Sequence, residues 1–102
     1  MSRADAIRKI IEKRPDDPFP RYGLAMELKN SGARDEAKVA FEELEQRFAE
    51  YVPQYLMHAN LLVELGLRDG AKEVLRRGIP VAQKKGEGHA AGEMEQALAA
   101  LD

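Results

Sequence analysis

Residues 18–51, PFPRYGLAMELKNSGARDEAKVAFEELEQRFAEY, align without a gap on residues 52–85, VPQYLMHANLLVELGLRDGAKEVLRRGIPVAQKK. The run GARDEAK at 32–38 returns as GLRDGAK at 66–72. Identical residues stand at seven paired positions, which are Ala25 and Ala59, Leu28 and Leu62, Gly32 and Gly66, Arg34 and Arg68, Asp35 and Asp69, Ala37 and Ala71, and Lys38 and Lys72. A fixed period of this length is the signature of a repeat protein.

Each copy has the pattern of two helices joined by a tight turn. In the first copy, Asp17 is placed to cap a helix whose first residue is a proline, and Gly32 supplies the left-handed residue that ends it. A second helix is expected to start at Asp35, because apolar residues then recur every three or four positions. The second copy repeats this plan, with a stop at Gly66 and a start at Asp69.

Two further helices are expected to flank the copies. Ser2 followed by Asp5 is a capping signal for a first helix that ends at Pro15, and a last helix follows the break at residues 86–88. The first of these helices carries Ile7, Ile10 and Ile11, and the last has one apolar stripe formed by Ala90, Met94, Ala97, Leu98 and Leu101. We therefore expect six helices and no strand, with Pro80 kinking or restarting the fifth helix.

The repeated pattern resembles the tetratricopeptide repeat, W-x2-L-G-x2-Y followed by A-x3-F and a closing P, in a small bacterial-type form. The matching residues are Leu24, Ala25, Leu28, Ala37 and Phe41 in the first copy, and Tyr55, Ala59, Leu62, Ala71 and Leu75 in the second. The junction Pro15-Asp16-Asp17-Pro18 also resembles that between two such repeats. The departures are Arg21 at the aromatic position, His58 at the Leu position, and Ala49 and Gln83 at the closing Pro.

The resemblance implies an all-α fold, a right-handed stack of antiparallel helical hairpins in one domain. Residues 1–15 would form a leading half-repeat helix, 18–51 the first repeat, 52–85 the second, and 88–102 a closing helix. Small residues are expected where the two helices of each hairpin approach most closely, with Ala25 facing Ala37 and Ala59 facing Ala71.

The resemblance also implies a concave face, lined by the first helix of each hairpin, that holds a peptide or helix of a partner protein. The residues expected in this apolar groove are Phe19, Tyr22, Met26, Lys29, Leu56, Met57, Asn60 and Val63. A clamp for a terminal carboxylate is not expected, because its Lys and Asn positions hold Tyr22, Met26 and Met57. Alternatively, the first and last helices fold over Tyr22, Met26, Leu56 and Met57 and make them part of the core.

Composition and motifs favour an interaction protein over other classes. Lysine and arginine number 16 against 18 acidic residues, giving a net charge of −2 with the signs interspersed, which disfavours a nucleic-acid partner. The sequence has no run of about 18 apolar residues, so no membrane-spanning helix is expected. The absence of cysteine favours a location in the cytoplasm. The two histidines, His58 and His89, have no accompanying nucleophile or ligand motif, so we expect no enzyme activity, metal site or cofactor.

Self-association is the alternative function. The leading helix carries Ile7, Ile10 and Ile11, and in a repeat stack its usual hairpin partner is missing, so a second copy of the chain can complete the stack as a homodimer.

Overall fold

Six helices make up most of the computed structural model, which describes residues 2–102. They are α1 (Arg3–Lys13), α2 (Pro18–Asn30), α3 (Arg34–Arg47), α4 (Pro53–Glu64), α5 (Arg68–Lys84) and α6 (Gly88–Leu101). Residues 2–102 contain no strand, so the predicted all-α helical repeat fold is confirmed. None of these helices has both the length and the apolar character needed to cross a bilayer.

The chain divides into two compact units. The first ends at Phe48 and contains α1, α2 and α3, and the second, Ala49–Asp102, contains α4, α5 and α6. The assignment of all residues to one domain stays a prediction.

The first unit begins its first two helices with side-chain caps. The Ser2 hydroxyl accepts a hydrogen bond from the Asp5 N–H at 3.1 Å, and the Asp17 carboxylate accepts one from the Phe19 N–H at 3.0 Å. Both caps confirm the helix starts predicted from the sequence. Helix α2 packs against both α1 and α3, and the buried residues of α2 and α3 are Pro20, Ala25, Leu28, Ala37, Ala40, Phe41 and Leu44.

Three turns share one backbone geometry. Gly32, Gly66 and Gly86 have φ angles of 88°, 77° and 74°, in the left-handed region where a side chain is strained. At each turn, the N–H that follows the glycine donates to the carbonyl five residues earlier, at distances between 2.8 and 2.9 Å. This is the Schellman ending of a helix, and it confirms the helix ends predicted at these glycines.

The second helix of each hairpin begins one residue earlier than predicted. Helix α3 starts at Arg34 and α5 at Arg68, so Asp35 and Asp69 lie inside the first turn and do not cap it. No side chain caps either helix; instead the N–H groups of residues 37 and 71 donate to the carbonyls of residues 33 and 67. The two aspartates still place negative charge at the positive end of the helix dipole.

The second unit is built around one apolar core. Its buried residues are Val52, Tyr55, Ala59, Leu62, Ala71, Val74, Leu75, Ala82, Ala91 and Met94. Helices α4 and α5 form the hairpin, and α6 packs against both of them. The alanines predicted at the closest helix approaches are at most 2% exposed in either unit, as small residues at such positions must be.

Gly78 lies at the tightest contact of this core. A Cβ built on Gly78 would lie 2.6 Å from the Tyr55 Cβ and 2.7 Å from the Met94 Sδ. Real Cβ atoms do not approach other atoms so closely. Helix α5 therefore approaches α4 and α6 at a distance that only glycine permits.

Helix α5 continues without interruption from Arg68 to Lys84, with Pro80 inside it. Pro80 therefore does not end α5 and start a new helix, which was one of the two predicted outcomes. Proline removes one helical hydrogen bond. The turn that follows it, however, contains the fully buried Ala82, and the neighbouring Val81 packs on the core. Burial of this turn offsets the lost hydrogen bond.

The segment before α4 is fastened by side chains of the same unit. The Tyr55 hydroxyl donates to the Ala49 carbonyl, and the Lys85 ammonium donates to the Glu50 carbonyl at 3.1 Å. At the other end of the unit, the Arg68 Nε–H donates to the Leu101 carbonyl at 2.9 Å. These bonds satisfy carbonyls that no helix partner reaches.

Candidate partner-binding surface

In the first unit, the four predicted groove residues lie on one side of α2. Phe19, Tyr22, Met26 and Lys29 follow one another at spacings of three, four and three residues, which an α-helix places on one face. Phe19 is 66% exposed, the largest exposed fraction among the exposed large apolar residues of positions 2–102, and the other three are half-buried. The face is therefore apolar, with an exposed aromatic at its start and a cation at its end.

Local sequence fixes the position of Phe19. The Asp17 carboxylate holds the first turn by its bond to the Phe19 N–H, and Pro18 and Pro20 restrict the backbone on either side. The buried Pro20 anchors this turn in the unit, while Phe19 is exposed. Burial raises the pKa of the Tyr22 hydroxyl above its ordinary 10.0, so this side chain stays a neutral hydrogen-bonding group at physiological pH.

In the second unit, Met57, Asn60 and Val63 lie on the side of α4 opposite its buried face, and Leu56 lies at the edge of that face. Asn60 is exposed, and Val63, one turn further on, is 44% exposed. Met57 is half-buried, whereas Leu56 is half-buried and packs on the core of this unit. Leu56 thus contributes to packing, while Asn60 presents an amide to solvent between apolar neighbours.

Neither histidine joins these faces. His58 is 3% exposed within α4, as expected for a packed residue at a repeat core position, and His89 is exposed with its Nε2 3.5 Å from the Glu93 carboxylate. Among residues 2–102, no three His, Asp or Glu side chains are grouped so that they can hold a metal ion.

Two exposed apolar residues were not predicted from the sequence. Val39 on α3 is 51% exposed and Leu67, at the start of α5, is 44% exposed. Val39 breaks the polar pattern of its helix face, which is a visible signal. Leu67 occupies the turn position of Ala33 in the first copy, and the repeat pattern does not predict its exposure.

The fold of this chain is similar to that of solved structures from Salinibacter ruber and Bordetella parapertussis. The solution structure of a tetratricopeptide repeat domain protein from Salinibacter ruber matches with a TM-score of 0.82 and 32% identity, covering 86% of this chain and 89% of that chain. A crystal structure with the same description matches with a TM-score of 0.79 and 32% identity, over 83% and 96% of the two chains. A protein from Bordetella parapertussis, 18% identical, matches with a TM-score of 0.81 over 99% and 88%, and it supports the fold alone.

No protein-family model and no curated protein sequence matches the chain. Its repeated hairpins, glycine-ended turns and paired alanines nevertheless define a helical-repeat protein. With 32% identity over most of both chains to the Salinibacter protein, the chain belongs to the tetratricopeptide repeat family, as its motifs indicated. These neighbours indicate a protein-interaction module in general.

Proposed function

We propose that this chain binds a peptide or helix of a partner protein through the outer faces of α2 and α4. Phe19 carries the proposal, because a phenylalanine that is 66% exposed on a rigidly capped helix is the kind of side chain that anchors interfaces. We place the interaction in the cytoplasm, with which a cysteine-free chain is compatible.

The two faces supply different interactions. On α2, Phe19 inserts into the partner, and the half-buried Tyr22 and Met26 form an adaptable apolar floor beside it. On α4, the Asn60 amide has a donor and an acceptor, so it can bond the backbone of an extended peptide or a polar side chain of a helix. Apolar anchors with few oriented polar groups are typical of helix-in-groove and peptide recognition.

The test is capture of partner proteins from native cell extract, followed by affinity measurement with the identified partner. We expect the combined variant Met26→Glu with Asn60→Glu to abolish capture while its helicity and melting temperature stay close to the parent values. Phe19→Ala should weaken binding at least about tenfold, since truncating an interface anchor costs about 2 kcal/mol or more. Val39→Glu is the control, because this exposed residue lies on α3, outside both faces.

Each other outcome of this experiment has a definite meaning. Unfolding of the combined variant would show that its residues are core, and Phe19→Ala, which removes a mostly exposed side chain, then decides the proposal by itself. A folded variant that binds as well as the parent would place the partner elsewhere and reject the proposal.

Self-association is a second candidate function, and one observation on α1 favours it. No residue of α1 is buried, although every other helix buries at least two, and Ile10 is 44% exposed. A second copy that covers this helix would remove its isoleucines from water. Light scattering across protein concentrations measures whether the chain associates.

A further inference from the structure

Helix α1 has an apolar face that its own unit leaves partly open. Ile7 and Ile11 are half-buried on the side toward α2, the helix against which α1 packs. Ile10 and Ala6, one turn apart, are exposed beside them. Two ion pairs at 3.6 Å, from Arg3 and Arg8, join α1 to its unit but leave this strip uncovered.

The exposed strip of α1 is bordered by positive charge. Lys9 and Lys13, also one turn apart, flank Ala6 and Ile10 on one side, and the structure gives neither lysine an ion-pair partner among residues 2–102. The helix as a whole carries four cationic and two anionic residues, a net charge of +2. A helix that docks here therefore needs negative charge beside small or apolar residues.

Helix α6 has this combination on its outer side. Its buried residues face α4 and α5, and the opposite side presents Gly92, Gln96 and Ala99. A Cβ built on Gly92 would meet no atom within 4 Å, so another helix has room to approach there. Glu93 and Glu95 border this side, and without any lysine or arginine the helix has a net charge of −2.

We propose that α6 of one copy docks on α1 of a second copy, with Ile10 against Gly92 and Ala99, and with Lys9 and Lys13 beside the glutamates. This inference rests on the self-association proposed above and names the surfaces that meet. Contact between two α1 helices would instead bring two net charges of +2 together, and like charges across an interface cost affinity. Since each copy offers one α1 and one α6, the contact joins unlike surfaces and can repeat from copy to copy.

Charge reversal tests the pairing in the full chain by sedimentation velocity. Lys9→Glu with Lys13→Glu, and separately Glu93→Lys with Glu95→Lys, should each weaken association at least about tenfold. An equimolar mixture of the two variants should regain it in assemblies that contain both, because each α1 then meets an α6 of opposite charge. Arg47→Glu with Lys84→Glu changes the net charge as much as the first variant and should associate like the parent.

A steric variant and a cross-link test the contact independently of charge. Gly92→Leu should keep or raise the melting temperature, since the site is open and leucine favours helix, yet it should abolish association. The chain has no cysteine, so mixing an Ile10→Cys variant with a Gly92→Cys variant under mild oxidation should give mainly mixed disulfide dimers.

Absence of self-association and absence of the α1–α6 contact give different results in these experiments. A parent chain that stays monomeric up to about 1 mM, the range of very weak contacts, rejects both. A parent chain that associates but is indifferent to the charge reversals and to Gly92→Leu keeps self-association and overturns the α1–α6 contact. Cross-links mainly between two Ile10→Cys chains would overturn it in favour of paired α1 helices.

Discussion

Gly78→Ala should destabilise the second unit, although alanine is the better helix former. In an open helical site, this change stabilises by about 1 kcal/mol. At Gly78, however, the added Cβ would lie 2.6 Å from the Tyr55 Cβ, whereas carbon atoms pack best at about 3.5–4.0 Å. The Tyr55 Cβ is fixed to the backbone of α4, so no change of rotamer relieves the contact and the helices must move apart by about 1 Å.

Overpacking of this kind typically costs about 1–3 kcal/mol, occasionally more, and the rigid contact places Gly78→Ala toward the upper end. After the gain in helix propensity, we expect a net loss of about 2 kcal/mol. For a domain of this size, that loss lowers the melting temperature by about 10 °C. The measurement is thermal and urea unfolding followed by circular dichroism.

Gly92→Ala is the matched control for this prediction. Gly92 is also inside a helix of the same unit, but a Cβ there meets no atom within 4 Å, so the same substitution should stabilise by about 1 kcal/mol. The two variants thus differ in sign as well as size. If Gly78→Ala melted at or above the parent temperature, the close approach of α5 to α4 and α6 would be wrong.

Two further predictions concern packing and protonation. Ala59→Leu and Ala71→Leu, at sites no more than 2% exposed, should each lower the free energy of unfolding by about 1–3 kcal/mol. The control Lys38→Ala removes one exposed ion pair of 2.9 Å and should lower it by about 0.5 kcal/mol or less. If both leucine variants melted like the parent, the hairpin register would be wrong. The hydrogen bonds from Ser2 hold the pKa of the Asp5 carboxyl below 3.8, so the start of α1 keeps this stabilisation above pH 3.8 and loses it as the pH falls through the lower folded-state value. An NMR titration midpoint for Asp5 at or above 3.8 would exclude this capping interaction.

Local signals explain why the helix boundaries were predictable. A left-handed turn needs a glycine, and a helix start needs a short acceptor side chain, so Gly32, Gly66, Ser2 and Asp17 are informative without knowledge of the remaining fold. The alanine pairs were predictable because the period of 34 residues places them at equivalent positions.

Features that depend on several helices at once were not predictable. The 34-residue period aligns Gly78 with Leu44, which is a buried core residue. The repeat pattern alone therefore predicts a large side chain at position 78, whereas the packing of α4, α5 and α6 leaves no space there for even a Cβ atom. Pro80 looked like an interruption because the burial of the turn after it cannot be read locally. The same holds for the predicted groove, where packing makes Leu56 part of the core edge and leaves Phe19 exposed.

The three glycine-ended turns also affect how the chain folds. Each turn joins two helices through only three residues outside them, so the helices that pack together meet almost as soon as both have formed. Chains dominated by contacts close in sequence fold in about microseconds to milliseconds, because little loop entropy is lost before the contacts form. The α2–α3 hairpin needs only residues up to Arg47, so it can assemble before synthesis of the second unit is complete.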